Sequence, residues 1–160
     1  MECCYQITFN GKLSGFLQRG YFAPAIKRAG YDALIIEGES ISPVKIIINN
    51  EQVKFEEVYS LWGDAMETFH HFKSSLDDRP YGIVYIGLSG EMGHPIAYIG
   101  CDGHSVAGRG GASAVMGSKK LKAIAILGTK QVPLHNPERV RTRSVELMRE
   151  FSKRSAEKEL

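Results

Sequence analysis

A run of glycine and small residues constrains this chain more than any other feature: Ala107-Gly108-Arg109-Gly110-Gly111-Ala112-Ser113-Ala114-Val115-Met116-Gly117-Ser118, followed by Lys119-Lys120-Leu121-Lys122 and an apolar stretch to Gly128. Glycine adopts positive φ without steric penalty and lets another backbone or a ligand approach closely. Residues 108–118 therefore predict a glycine-rich loop that leads into a short helical turn, and residues 122–128 predict an apolar strand. Free N–H groups at such a helix start favour an anion, most often phosphate. Arg109 adds a planar, permanently charged fork that matches phosphate or carboxylate oxygens. The spacing is not the G-x-x-x-x-G-K-[ST] of a P-loop, nor is it a G-x-G-x-x-G following a strand. From spacing alone, two readings stand: a phosphate cradle, or a glycine turn packed closely against a sheet.

The rest of the chain predicts short elements. Residues 4–9 are rich in strand formers, and residues 11–20 read as a loop. Tyr21-Phe22-Ala23-Pro24 opens a short helix that Gly30 closes. Residues 33–38 and 44–49 are β-branched runs, and Asn49-Asn50-Glu51 turns the second of them into 53–58 as a hairpin. Asp64 can cap a helix running to about Leu76, with Glu67 at the capping-box position. Residues 82–87 and 96–100 are strand-like with a glycine-rich turn between them. Beyond Pro133 the composition shifts: Asn136-Pro137-Glu138 is a helix-start signal, and residues 139–160 are charged and amphipathic. A sheet-rich segment followed by a helix makes α+β the expected fold class. The strand near the first residue and the helix running to the last lead us to expect a chain that begins in mid-domain and ends in mid-element.

With 160 residues, 43% hydrophobic and 24% charged, the chain has the composition of one soluble globular domain with a single core. The net charge of +2 is spread along the chain without a basic run, so nucleic acid is not an expected partner. No apolar stretch approaches the roughly 20 residues of a membrane helix, and the first residues do not form a signal peptide. A cytoplasmic protein without membrane partners is expected. Cys3, Cys4 and Cys101 give neither a disulfide framework nor a metal-ligand spacing, and read as small buried thiols. His104 can serve as an acid, a base or a phosphate donor, or simply be a satisfied histidine. His70 and His71 are adjacent and do not share a helix face, which argues against a metal pair. Asp77-Asp78 reads as a solvated turn and Trp62 as a core or edge aromatic.

Four ordered segments carry a family resemblance. Ala107 to Ala125, with its Gly-Arg-Gly-Gly and Met-Gly-Ser-Lys, resembles the A-G-R-G-G-x-G-A-V-M-G-S-K-N-L-K-A-I-A signature of aldehyde ferredoxin oxidoreductases. Gly20-Tyr21-Phe22-Ala23-Pro24 through Gly30-Tyr31-Asp32 and on to Glu37-Gly38 is similar to that family's G-x-F-x-P-x-L-K-x-A-G-Y-D-x-I-I-I-x-G. Leu61-Trp62-Gly63 and Ile86-Gly87-Leu88-Ser89-Gly90-Glu91 are similar to its L-W-G and I-G-P-A-G-E, in the same order.

The resemblance implies an α+β first domain that cradles tungsten, or molybdenum, held by the dithiolenes of two pterins whose phosphates share a magnesium ion. It also implies a helical remainder with a 4Fe-4S cluster, and oxidation of aldehydes to carboxylates with electrons passed to ferredoxin. It places Arg109 between pterin and cluster and Gly110 where a backbone carbonyl meets the magnesium, with Gly108 and Gly111 as further cofactor contacts. Residues 1–132 are then a partial pterin-binding domain, and residues 133–160 the start of a helical domain or a linker.

The chain also departs from the pattern. Cys4, followed by Tyr5, stands where the family has a pterin arginine, and Leu17, Gln18 and Arg19 stand where it has an asparagine and glycines. Leu88 and Ser89 replace Pro and Ala. The C-x-x-C-x-x-x-C cluster motif and the D-x-x-G-L pterin motifs are not in this sequence, and Cys3, Cys4 and Cys101 do not replace them. The expectation is a truncated member with no assignable catalytic residue, inactive by itself. A noncatalytic cofactor-binding or assembly subunit, partnered by a chain carrying the missing helical domains, and a decayed fragment are the alternatives.

Overall fold

The computed structural model describes the backbone of residues 2–9, 12–108 and 110–158, and the side chains of residues 20–154 apart from 109. The chain opens with an antiparallel hairpin of β1 (Glu2–Phe9) and β2 (Lys12–Arg19), in which Cys4 stands opposite Leu17. Residues 12–19 are thus a strand and not the expected loop. Their glycine and serine content lowers intrinsic strand propensity, but pairing along the whole of β1 satisfies their backbone and outweighs it.

Helix α1 (Phe22–Ala29) has Pro24 in its first turn, where a missing N–H costs no bond. It stops at Gly30, whose left-handed backbone (φ +101°) lets its N–H reach the Ile26 and Lys27 carbonyls. Residues 33–38, expected as a strand, are irregular, and Ile35 is 86% exposed. β-branched residues make a strand only where a neighbouring strand supplies partners. From Gly38 onward the chain is tied to Lys119 and Lys120, with Lys119 Nζ donating to the Gly38 carbonyl, the Ser40 N–H donating to the Lys119 carbonyl and Lys120 Nζ donating to that of Ile41.

The central sheet has six strands in the order β4-β3-β8-β5-β6-β7: β4 (Gln52–Glu57), β3 (Val44–Asn49), β8 (Leu121–Leu127), β5 (Gly82–Ile86), β6 (Ile99–Cys101) and β7 (Ser105–Ala107). Only the β3–β8 pair of this sheet is parallel. The hairpin turn between β3 and β4 forms where expected and has Asn50 in the left-handed region (φ +52°). The strand expected over 96–100 is confined to Ile99–Cys101. The preceding stretch begins with the short helix α3 (Leu88–Glu91) where a turn was expected, and β7 was not anticipated at all. A three-residue strand leaves no period to read.

Alternation divides the core between the two faces of the sheet. On one face Ile46, Ile48, Val84, Ile86, Ile124 and Ile126 pack with Phe22, Ala25, Ile26 and Ala29 of α1 and with Ala112 and Met116 of α4 (Ala112–Ser118). On the other, Ile83, Tyr85, Ala123 and Ala125 pack with Phe72 of α2 (Ala65–Ser75) and with Val58 and Leu61. The expected cap of α2 forms, Asp64 accepting from the Glu67 N–H at 2.8 Å. A sheet flanked by short helices and followed by a long one is the α+β architecture expected from sequence.

Burial, and after it the charges of Tyr98, Cys101 and Asp102, pushes the Tyr85 phenol above its ordinary value. The unfolded chain then ionises first as pH rises, so stability present below about pH 10 declines above it. Alkaline unfolding curves of wild type and Tyr85→Phe should diverge there, the variant declining less.

Helix α5 (Pro137–Lys158) starts as expected, Asn136 accepting from the Arg139 N–H at 2.9 Å. Its residues are exposed throughout the described side chains, Val140, Met148 and Phe151 included. Among the described residues no helix is long and apolar enough to cross a membrane.

Candidate functional site

The glycine turn lies between β7 and α4. Gly108 leaves β7 exposed, and a Cβ there would come no closer than 3.7 Å to Tyr98, so its backbone is open to an approaching group. Gly110 (φ +90°) and Gly111 (φ +76°) both occupy the left-handed region, which a side chain would strain. Gly110 is exposed and Gly111 buried, so the turn passes from solvent into the core within one residue. Gly111 caps α4, and among the described residues no side chain accepts from the helix's first-turn N–H groups. Arg109 lies outside the described residues.

The other candidates are dispersed. His104 is exposed at the opposite end of β7, its Nδ1 2.7 Å from the Asp102 carbonyl. His70 and His71 are exposed on α2 and line a shallow surface groove with Glu67, Lys73, Ser60 and Ser74. Among the described residues no group of three or more His, Cys, Asp or Glu is placed to hold a metal ion. Cys101 is buried beside Asp102, with Sγ 3.3 Å from Oδ2. Asp102 also accepts from the Tyr21 N–H at 2.7 Å and the Ile83 N–H at 2.8 Å, tying the entry of α1 to β5. The side chains of Cys3, Cys4, Leu17, Gln18 and Arg19, the positions of the expected departures, are outside those described.

Sequence reasoning missed a buried constellation behind the turn. Glu91, ending α3, is ion-paired with Lys122 of β8, and their side chains are 1% and 0% exposed. The Lys122 Nζ lies 6.0 Å from the ring centre of Trp62. Three sequence segments far apart, around Trp62, Glu91 and Lys122, thus meet at one point. The signal was a lysine at the head of an otherwise apolar strand, which burial obliges to find a partner.

Helices α3 and α4 touch backbone to backbone: a Cβ on Gly117 would overlap the Gly90 carbonyl oxygen, and one on Gly90 would overlap Ser113 Oγ. Ser113, where the family signature has glycine, is fully buried, and its hydroxyl has no hydrogen-bond partner among the described residues. An unmet buried hydroxyl costs about 1–3 kcal/mol. Ser113→Ala should therefore raise the melting temperature, and a lower value in thermal unfolding would show that the hydroxyl is satisfied in solution.

Residues 7–128, most of the chain including the turn and the buried constellation, match the family model described as aldehyde ferredoxin oxidoreductase, N-terminal domain. The chain belongs to this family. It is similar to the tungsten-containing aldehyde ferredoxin oxidoreductase of Pyrococcus furiosus, with 39% identity over 140 residues, covering 84% of this chain and 23% of that protein. The enzyme of the same name from Thermococcus kodakarensis matches to the same extent, 39% over 140 residues. A protein named aliphatic sulfonate oxidoreductase, WOR-like subunit, from P. furiosus is 33% identical over 144 residues, covering 80% of this chain and 22% of that one. Among solved structures, the active site complex BamBC of benzoyl coenzyme A reductase aligns with a TM-score of 0.75 and 37% identity, over 80% of this chain and 20% of that one. This aldehyde ferredoxin oxidoreductase N-terminal domain chain therefore spans about a quarter of the length of the curated relatives it matches.

Proposed function

We propose that the chain binds a tungsten- or molybdenum-pterin cofactor against its glycine turn, as the cofactor-binding part of an oxidoreductase that converts aldehydes to carboxylates. The observation that carries this reading is the turn itself, two consecutive left-handed glycines and an uncapped helix start on the segment that carries the family signature. The residues fit such a group: Gly108 and Gly110 leave exposed backbone with no Cβ in the way, and the first N–H groups of α4 have no side-chain acceptor among the described residues. Gly108, Arg109, Gly110 and Gly111 would hold the cofactor: a guanidinium such as that of Arg109 suits anionic oxygens, and a backbone carbonyl such as that of Gly110 would suit a magnesium ion. When bound, the group supplies the two-electron oxidation chemistry. This chain would contribute orientation and charge, and a 4Fe-4S cluster carried elsewhere would supply the path for electrons to ferredoxin. At Cys4, Leu17, Gln18 and Arg19 the chain lacks residue types that the family resemblance associates with cofactor contacts, so Arg109 and the turn would have the larger share of them.

The division of labour follows from size. With relatives about four times longer, the cluster and the rest of the pterin site belong to polypeptide outside residues 1–132, and 133–160, led by α5, is the start of a helical unit. A second reading, a cofactor-binding or assembly subunit of a multi-subunit oxidoreductase, is favoured by the exposed apolar side chains of α5 and by relatives named as a subunit and as a complex.

The chain expressed in cells that make tungsten-pterin tests the proposal. Purified protein should have tungsten and, after oxidation, pterin fluorescence, and Arg109→Ala should lower both about tenfold or more, the loss expected for a charge-assisted contact. A folded wild-type chain without pterin would overturn it.

A further inference from the structure

The geometry points to Glu91 and Lys122 as a positioning pair that keeps the glycine turn in place against the sheet, an inference that rests on the cofactor-binding reading of that turn. Lys122 stands at an irregularity of β8, where Leu121 pairs with Val44 but Ala123 already pairs with Lys45, leaving one extra residue in the ladder. A residue in such a bulge is re-aimed out of its strand's alternation. Its ammonium meets Glu91 Oε1, with both side chains closed to solvent. From Glu91 the path runs through backbone. Gly90 and Glu91 lie directly against Gly117, and Gly90 lies against Ser113, so α3 and α4 move as one body. α4 begins at Gly111, and Gly110 precedes it. A shift of Glu91 therefore reaches the turn without a flexible side chain to absorb it.

The chemistry of a buried ion pair separates positioning from bulk stability. Replacing both partners with apolar groups of similar volume is often neutral for the fold, because the desolvation cost disappears with the attraction. What is lost is direction: a charge pair has one preferred geometry, whereas two apolar side chains slide. The second Glu91 oxygen, Oε2, has no partner, so the carboxylate is oriented by Lys122 among its described side-chain contacts. Trp62, the single tryptophan, is 6.0 Å from Lys122 Nζ and reports on the pair by its emission.

The test is amide hydrogen exchange on three proteins: wild type, the apolar double variant Glu91→Leu/Lys122→Met, and the neutral polar pair Glu91→Gln/Lys122→Gln, which can keep one N–H···O bond. In the apolar variant, unfolding should stay cooperative, exchange in β5 and β8 should be unchanged, and exchange across residues 110–118 should accelerate about tenfold or more. Trp62 emission should shift and pterin content should fall with it. The Gln pair should restore protection to within about threefold of wild type. Unchanged exchange at 110–118 in a folded apolar variant overturns the inference, and so does failure of that variant to fold, which would make the pair a stability element. A wild-type chain that folds without pterin overturns the proposed function alone, because exchange reads the pair without any cofactor.

Discussion

A Lys122→Met single variant loses about 3–5 kcal/mol of stability, a large fraction of the roughly 5–15 kcal/mol of an ordinary domain. The cause is the carboxylate left behind. Glu91 is 1% exposed in its side chain, Lys122 is its ion-pair partner, and its other oxygen is already without a hydrogen bond among the described residues. Removing Lys122 strands a desolvated charge that must either take up a proton or drag the end of α3 toward water. Chemical denaturation followed by Trp62 emission measures the loss. A single variant as stable as wild type would mean that water reaches Glu91 and that the pair is not sealed. Because the Glu91→Leu/Lys122→Met double variant removes both charges, it should recover most of the loss, and the non-additivity of the cycle measures the coupling.

Phe72→Ala should cost a similar amount, about 3–5 kcal/mol, by a different route. Phe72 is fully buried, the principal side chain that α2 lays against the small residues Ala123 and Ala125 of β8. Small residues on the strand create the space that the ring fills, so truncation leaves a cavity that neither alanine can close. Lys45 also places its ammonium 5.0 Å from the centre of this ring while pairing with Glu56 at 3.0 Å, and it would lose the aromatic face. Thermal unfolding of Phe72→Ala and Phe72→Leu should rank the two by volume lost, leucine costing less. Equal melting temperatures for the two would argue against a packed cavity.

How much of this was legible in the sequence depended on whether the deciding partner was near in the chain. The β-branched run of β3 and the apolar runs of β5 and β8 announced themselves, because burial of a strand writes a local pattern. The Asp64 cap and the Gly30 stop were equally local. Residues 33–38 misled for the opposite reason: their β-branched content promised a strand, but they pair with no strand among the described residues. Residues 12–19 were misread because the partner that makes them a strand, β1, contributes the missing stability. At the candidate site, the glycine turn was visible as composition, and its two left-handed residues fall on Gly110 and Gly111 as the chemistry required. The Glu91–Lys122 pair was not visible. Thirty-one positions separate the two residues, and a lysine at the head of an apolar strand does not say which carboxylate it meets.

The place of β8 in the sheet has a consequence for synthesis. β3 and β5 are not neighbours, because β8, made some 35 residues after β5, is inserted between them, parallel to one and antiparallel to the other. Until residues 121–127 leave the ribosome, the nascent chain has two strands with open apolar edges and no central member to join them, the condition in which foreign strands add most readily. The glycine turn and α4 emerge immediately before that closing strand, so the sheet is sealed and the turn is seated in the same late step. A nascent chain stalled short of residue 121 should therefore be bound by holdase chaperones, and one extended past 128 released from them.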